Sequence, residues 1–307
     1  MNMINSLPIA RYCFQFQVTQ PIMLPDYAGS ALRGVFGRAL RKICCMTKQQ
    51  ECKTCPLYRT CPYTNIFETP APENHQLQRF SQVPNGYIIE PPKWGVKQYQ
   101  IGETLQFHLV LVGKLISQLP LITFAFKRAL EYDLAGGKAN LTNLFLAQIN
   151  QPLQSILEND CIINYQDYID LPEQFSSQMA LDFQTPLRLQ ENGKPLRVNQ
   201  ITLERFLISL AKRISLLMEF HATPINLDFS TLIEQISQIE ATHKLYWQDW
   251  TRYSSRQKQK MTLGGVMGTW QLKNIPNEWA KLLFIGQWLH NGKNATFGLG
   301  HYYITNL

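Results

Sequence analysis

Between Ile9 and Val18 the apolar and aromatic residues Ile9, Tyr12, Phe14, Phe16 and Val18 fall close to a period of two, which predicts a half-buried strand. Beyond a Pro/Gly-bearing stretch the period lengthens. Ala28, Ala31, Leu32, Val35, Phe36, Ala39, Leu40 and Ile43 recur at spacings of three and four and form one helical stripe. Strands are predicted at Tyr87–Glu90 and Thr104–Val112, then a helix from about Ser117 to Tyr132 with Pro120 tolerated in its first turn. Gly136-Gly137 stops that helix, and Leu141–Ile149 reads as a closing strand. The same order returns in the second half. A strand at Met179–Leu189 precedes a helix from Gln200 to Phe220 with Asn199 as its N-cap, and its stripe is Leu203, Phe206, Leu207, Leu210, Ile214, Leu217 and Met218. A strand pair is predicted within His243–Leu272, then a helix from Pro276 to about His290 ended by Gly292, and a last strand at Leu299–Thr305.

Each half therefore reads β-α-β-β-α-β, and the fold predicted is α+β, two tandem ferredoxin-like (RRM-like) domains with a Cys-rich loop inserted in the first. Pro, Asn and Gln crowd residues 148–178 and place the boundary there. The N-terminal domain is expected at 1–165, with the insertion at 44–62, and the C-terminal domain, carrying a basic hairpin and a Gly-rich loop, at 166–307. An apolar share of 45% and a charged share of 17% over 307 residues exclude a mainly disordered chain. The stretch most suggestive of a membrane span, Leu115–Phe126, has 12 uncharged residues bracketed by Lys114 and Lys127, against the roughly 20 that span a bilayer. With no basic and apolar leader at its start, the chain is expected in the cytoplasm, without a membrane partner and with reduced thiols.

Charge adds a partner class. Lys and Arg number 29 against 22 Asp and Glu, and the net charge of +7 favours a polyanion, nucleic acid before membrane. On the first helix Arg38, Arg41 and Lys42 share an arc of roughly 100°, with Arg33 just beyond and no acid among them, a face suited to phosphates. Gly34 and Gly37 inside that helix suggest close approach by another backbone, from RNA or from the other domain. The segment from Trp250 to Lys260 carries Arg252, Tyr253, Arg256, Lys258 and Lys260, cations interleaved with aromatics as single-stranded nucleic acid requires. Lys293, Gly298 and Gly300 lie in a loop whose backbone N–H groups suit an anion-binding nest, or simply a tight turn into the last strand.

Five of the seven cysteines fall within 18 positions. Cys45-x6-Cys52-x2-Cys55-x5-Cys61, with Cys44 able to replace Cys45, suits a structural zinc or an iron–sulfur cluster. Ordinary thiols, or a redox pair at Cys52 and Cys55, are the alternative.

The Phe297-Gly298-Leu299-Gly300 loop after a C-terminal helix resembles the signature of the RAMP superfamily of CRISPR proteins. With Gly29-Ser30-Ala31-Leu32-Arg33-Gly34, Cys61-Pro62-Tyr63 and the stretch Trp250–Gly265, the chain is similar to Cas family six, the repeat-RNA processing endoribonucleases. The resemblance implies metal-independent cleavage of precursor crRNA, in which the 2′-hydroxyl attacks the adjacent phosphate and leaves a 2′,3′-cyclic phosphate. Its partners would be CRISPR repeat RNA and other Cas proteins of an effector complex. Relatives carry a catalytic His near the first helix, and here Ala28–Ile43 has none. The candidates are then Tyr27, Arg33 and His290. The last of these shares a stripe with Trp279 and Leu283, so it reads as a general acid or as a packed histidine between the domains. Two other readings stay open: a non-catalytic RAMP-type RNA-binding subunit, and a zinc-containing nucleic-acid-binding regulator.

Overall fold

The computed structural model describes residues 6–71, 83–95, 97–254 and 259–305, with the side chains of 251–262 left aside. It divides into two units. Pro8–Ile169 with Leu216–Thr223 forms the N-terminal one, and Asp170–Ser215 with Pro224–Leu307 forms most of the C-terminal one.

In the N-terminal unit the main elements are β1 (Ile9–Gln20), α1 (Gly29–Cys44), the short α2 (Pro62–Phe67), β2 (Tyr87–Glu90), β3 (Thr104–Val112), α3 (Leu119–Tyr132) and β4 (Lys138–Leu146). The antiparallel sheet runs β2-β3-β1-β4, with a two-residue strand at Gln154–Ser155 beyond β4. One apolar layer joins the inward residues Tyr12, Phe14 and Phe16 of β1 and Phe107 of β3 to Leu32, Val35, Phe36 and Leu40 of α1 and Phe126 of α3. Phe36 stacks on Phe126 with ring centroids 4.5 Å apart, and Phe14 stacks on Phe107 at 5.3 Å. The predicted α1 stripe is therefore the core face, except at its end, where Ile43 is 37% exposed. The closing strand lies at Lys138–Leu146, three residues ahead of the expected one, because its tight pairing with β1 starts directly after the turn at Gly137.

The C-terminal unit holds β5 (Met179–Leu187), α4 (Leu203–His221) as far as Ser215, α5 (Phe229–Ile236), β6 (Glu240–Ser254), β7 (Gln259–Lys273), α6 (Asn277–Leu289) and β8 (Tyr302–Thr305). Its sheet runs β6-β7-β5-β8, the strand order of the first sheet repeated. Both halves thus carry the ferredoxin-like arrangement. Phe206 of α4 lies 5.6–5.9 Å from Phe183, Trp270 and Tyr302, three rings on three strands. The start of α4 corrects the expectation of an Asn199 cap. Val198–Gln200 is a separate 3-10 turn, and Thr202 Oγ1 accepts from the Arg205 N–H at 3.2 Å instead. Among the described residues no helix is long and apolar enough to cross a membrane.

One largely buried histidine makes the N-terminal unit acid-sensitive. His108 on β3 pairs with Cys13 and Glu90, beside the Arg11–Glu90 ion pair of 2.7 Å. Burial, and secondarily Arg11, pull its pKa down to about 4 against the attraction of Glu90. Between pH 6.5 and 4 the unfolded chain binds a proton there that the folded chain refuses, so stability falls on acidification through that window, by about 3 kcal/mol in all. Urea unfolding at pH 7 and pH 4.5 should show this loss, and His108→Gln should flatten it. An equal acid loss in the variant would assign the effect to other groups.

Candidate functional site

In the N-terminal unit the basic face of α1 is divided by what lies next to it. Arg33 is half-buried. Its Nε donates to Tyr87 Oη at 3.0 Å and its guanidinium lies 4.2 Å over the Phe67 ring. These contacts hold the guanidinium in one place, and its terminal nitrogens have no hydrogen-bond partner among the described residues. Tyr87 is itself buried, and burial raises its phenol to about 12 in spite of Arg33. Arg38 and Lys42 are exposed, with the Lys42 ammonium 5.8 Å from the Tyr132 ring. Arg41 departs from the phosphate-facing role expected of it: its Nη2 donates to the Gln49 and Gln50 carbonyls at 2.6 and 2.8 Å and so ties down the cysteine loop. Gly37 has a local cause as well. A Cβ there would come within 2.4–2.9 Å of the Phe67 ring, so the glycine seats α2 rather than RNA or another domain.

Tyr27, a candidate for the chemistry, belongs to the core. It is 2% exposed, its ring lies 5.0 Å from Trp94, and burial raises its pKa well above 10. Cys45, Cys52, Cys55 and Cys61 line one cavity of about 70 Å³ together with Cys44. None of the seven cysteines is in a disulfide.

The basic hairpin of the C-terminal unit is a ribbon of fifteen cross-strand pairs, from Glu240↔Lys273 to Ser254↔Gln259. The third strand, β5, pairs with β7 only as far as Val266, so the ribbon continues beyond it as two strands. Arg252, Tyr253 and Lys260 stand on this two-stranded part, whereas Arg256 and Lys258 lie outside the described residues. Near its base the Arg197 guanidinium stacks over Trp247 at 3.9 Å. Trp247 Nε1 donates to Asp249 Oδ1 at 2.7 Å, and Gly264 leaves room for the indole, since a Cβ there would sit 2.3 Å from it. Tyr246 is 54% exposed beside them. The sequence reading missed this stack. Its one local signal was the run Lys244-Leu245-Tyr246-Trp247 within a strand, and Arg197 arrives from fifty positions upstream.

At the glycine loop the amides turn inwards. Gly298 N–H donates to Ala295 O and Gly300 N–H to Pro186 O, while Lys293 N–H reaches Arg188 O, so the expected anion nest at Gly298 and Gly300 has no donors to offer from these positions. The Lys293 side chain is exposed. His290 is fully buried and caps α6 in a left-handed conformation (φ 54°), its ring stacked on His301 at 4.5 Å. Its carbonyl and that of Leu289 accept from Arg213 Nε at 3.0 and 2.8 Å. Full burial beside the His301 ring is what a packed histidine would show. Of the other histidines, His108 and His221 are largely buried, His243 is exposed, and His75 lies outside the described residues.

Known proteins share this architecture. The AF_1859_N N-terminal domain family matches residues 7–167, and the family of the CRISPR-associated endoribonuclease Cas6 matches residues 181–302. An uncharacterized protein of Archaeoglobus fulgidus is 22% identical over 293 residues, 92% of each chain. Among solved structures, a Cas6 product complex is similar in fold (TM-score 0.60, 13% identity, 97% of this chain and 99% of that one). So is a RAMP protein described as binding different RNA substrates (TM-score 0.52, 11% identity, 97% and 100%). The chain therefore belongs, over residues 7–167, to the AF_1859_N N-terminal domain family, and its second sheet lies in a segment, residues 181–302, that matches the family of the CRISPR-associated endoribonuclease Cas6.

Proposed function

We propose that the protein binds CRISPR repeat RNA and cuts precursor crRNA by metal-independent transesterification. The 2′-hydroxyl attacks the neighbouring phosphorus, the P–O5′ bond breaks, and the leaving oxygen takes up a proton. The products end in a 2′,3′-cyclic phosphate and a 5′-hydroxyl.

The observation that carries this reading is the held guanidinium of Arg33. Its face rests on Phe67, its Nε is tethered to Tyr87, and its terminal nitrogens remain to be used. A cation fixed in advance stabilises the charge that grows on the phosphoryl oxygens without reorganising during the reaction. Arg38 and Lys42 on the same helix, with Arg252, Arg256, Lys258, Lys260 and Lys293 elsewhere, would track the phosphate backbone. Trp247, Tyr246 and Tyr253 would stack on bases. Tyr27 and His290 are buried, and the reading assigns the charge stabilisation to Arg33. Two-metal catalysis calls for clustered carboxylates, and among the described residues no group of three ligating side chains contains two of them.

Incubating the protein with repeat RNA in EDTA tests this. The expected result is a single cut with a cyclic-phosphate end, and RNA bearing a 2′-deoxy sugar at that position should bind and stay whole. Cleavage only with added Mg²⁺ would overturn the mechanism. Tight binding with no cleavage under any condition would favour the second reading, a non-catalytic RNA-binding subunit working with other Cas proteins, to which the burial of Tyr27 and His290 also points.

A further inference from the structure

The segment joining α1 to α2 has no apolar core of its own. Residues 46–51 are all exposed. What holds the segment, among the described residues, is mainly the pair of bonds from Arg41 and a 3.3 Å contact between Thr47 Oγ1 and Cys55 Sγ. Around the cavity beneath it the cysteines occupy structurally distinct places. Cys45 ends α1, with its N–H on Arg41 O at 2.9 Å, and Cys61 immediately precedes α2. Cys52 and Cys55 flank a single 3-10 turn closed by Cys55 N–H to Cys52 O at 3.1 Å, the kind of knuckle that presents two thiols to one ion.

We propose that Cys45, Cys52, Cys55 and Cys61 form a closed structural zinc site that staples the end of α1 to the start of α2. Cys44, the last residue of α1, lines the same cavity, so the Cys44 and Cys45 variants decide between these two neighbours. Zn–S bonds of about 2.3 Å set four tetrahedral sulfurs about 3.8 Å apart. No three of these sulfurs lie within 4.8 Å of one another. Binding would therefore bring the four sulfurs closer together. The consequence reaches beyond the loop. α2 carries Phe67, the ring on which Arg33 rests and against which Gly37 is seated, so the ion would fix the platform under that guanidinium.

Metal analysis of the full chain, grown with added zinc and purified without chelator, should find about one zinc per chain. Cys45→Ser, Cys52→Ser and Cys55→Ser should each drop it towards zero, while Cys44→Ser and Cys161→Ser should keep it. If the ligand variants fail to fold, cobalt(II) exchange into the wild-type chain decides the matter. Intense tetrahedral d–d bands with a thiolate charge-transfer band support the site, and weak octahedral spectra overturn it. A zinc-free folded protein would overturn it as well, as would stoichiometric iron with labile sulfide. Loss of zinc from Cys44→Ser with retention in Cys45→Ser would overturn the ligand set. None of these readouts depends on RNA cleavage, so the site can stand or fall apart from the proposed activity.

Discussion

Arg33→Ala is expected to slow single-turnover cleavage of repeat RNA by about 10²–10³-fold, the usual loss when one fixed donor to a developing oxyanion is removed. RNA affinity should change little, because many other cations share the work of holding the backbone. Arg33→Lys should recover only a small part of the rate. An ammonium neither lies flat on Phe67 nor offers a planar edge to two phosphoryl oxygens. Tyr87→Phe provides the matching control: it cuts the 3.0 Å tether to Nε and leaves the charge in place, so its rate should fall by about tenfold or less. The Arg33→Ala chain also leaves the buried Tyr87 hydroxyl without its donor, a cost of about 1–3 kcal/mol, so its melting temperature must be measured alongside. Cleavage within threefold of wild type, by a folded Arg33→Ala protein, would take Arg33 out of the reaction.

That Arg33 and Arg41 fare so differently marks how far sequence reading reaches. Helical spacing placed both on one basic arc of α1, and the stripe opposite, Leu32, Val35, Phe36 and Leu40, is buried as its periodicity demands. Yet the arc records only direction from the helix axis. Whether a guanidinium meets solvent, a ring or a carbonyl depends on what the following chain brings alongside, and here that is Phe67 for one arginine and the Gln49 and Gln50 carbonyls for the other. The strand order of both sheets was legible because periods of two and of three to four alternate cleanly along each half. Shorter elements were not. α2 has only six residues, although Pro62 at its start and Tyr63, Ile66 and Phe67 on one face were its signal. α5 opens on Asp228, whose carboxylate accepts from the Ser230 and Thr231 N–H groups, a cap that the sequence displayed and the reading passed over. His290 shows the remaining limit. Its shared stripe with Trp279 pointed inwards, as the structure has it, but the left-handed turn that buries it is set by Arg213, seventy-seven positions away.

The glycine loop offers the sharpest test of that tertiary control. Gly300→Ala should destabilise the C-terminal unit by at least about 3 kcal/mol, from two causes acting together. Gly300 has φ 73°, which an L side chain rarely adopts, and its added Cβ would lie 1.8 Å from the Asn291 carbonyl oxygen. Asn291 cannot yield easily. Its buried side chain donates to Phe206 O at 3.0 Å and accepts from Ser209 Oγ at 2.9 Å and from Gly292 N–H at 2.8 Å, while its own N–H meets Gly300 O at 3.1 Å. Gly193→Ala separates the two causes: φ is 78° there, but nothing lies within 4 Å of the new Cβ, so only the backbone cost of about 1–2 kcal/mol applies. Urea unfolding of the two variants should therefore differ by about 2 kcal/mol or more. Equal costs would mean that the loop tolerates a shifted Asn291, and the buried hydrogen bonds that now hold the loop in one shape would then have to be replaceable by others.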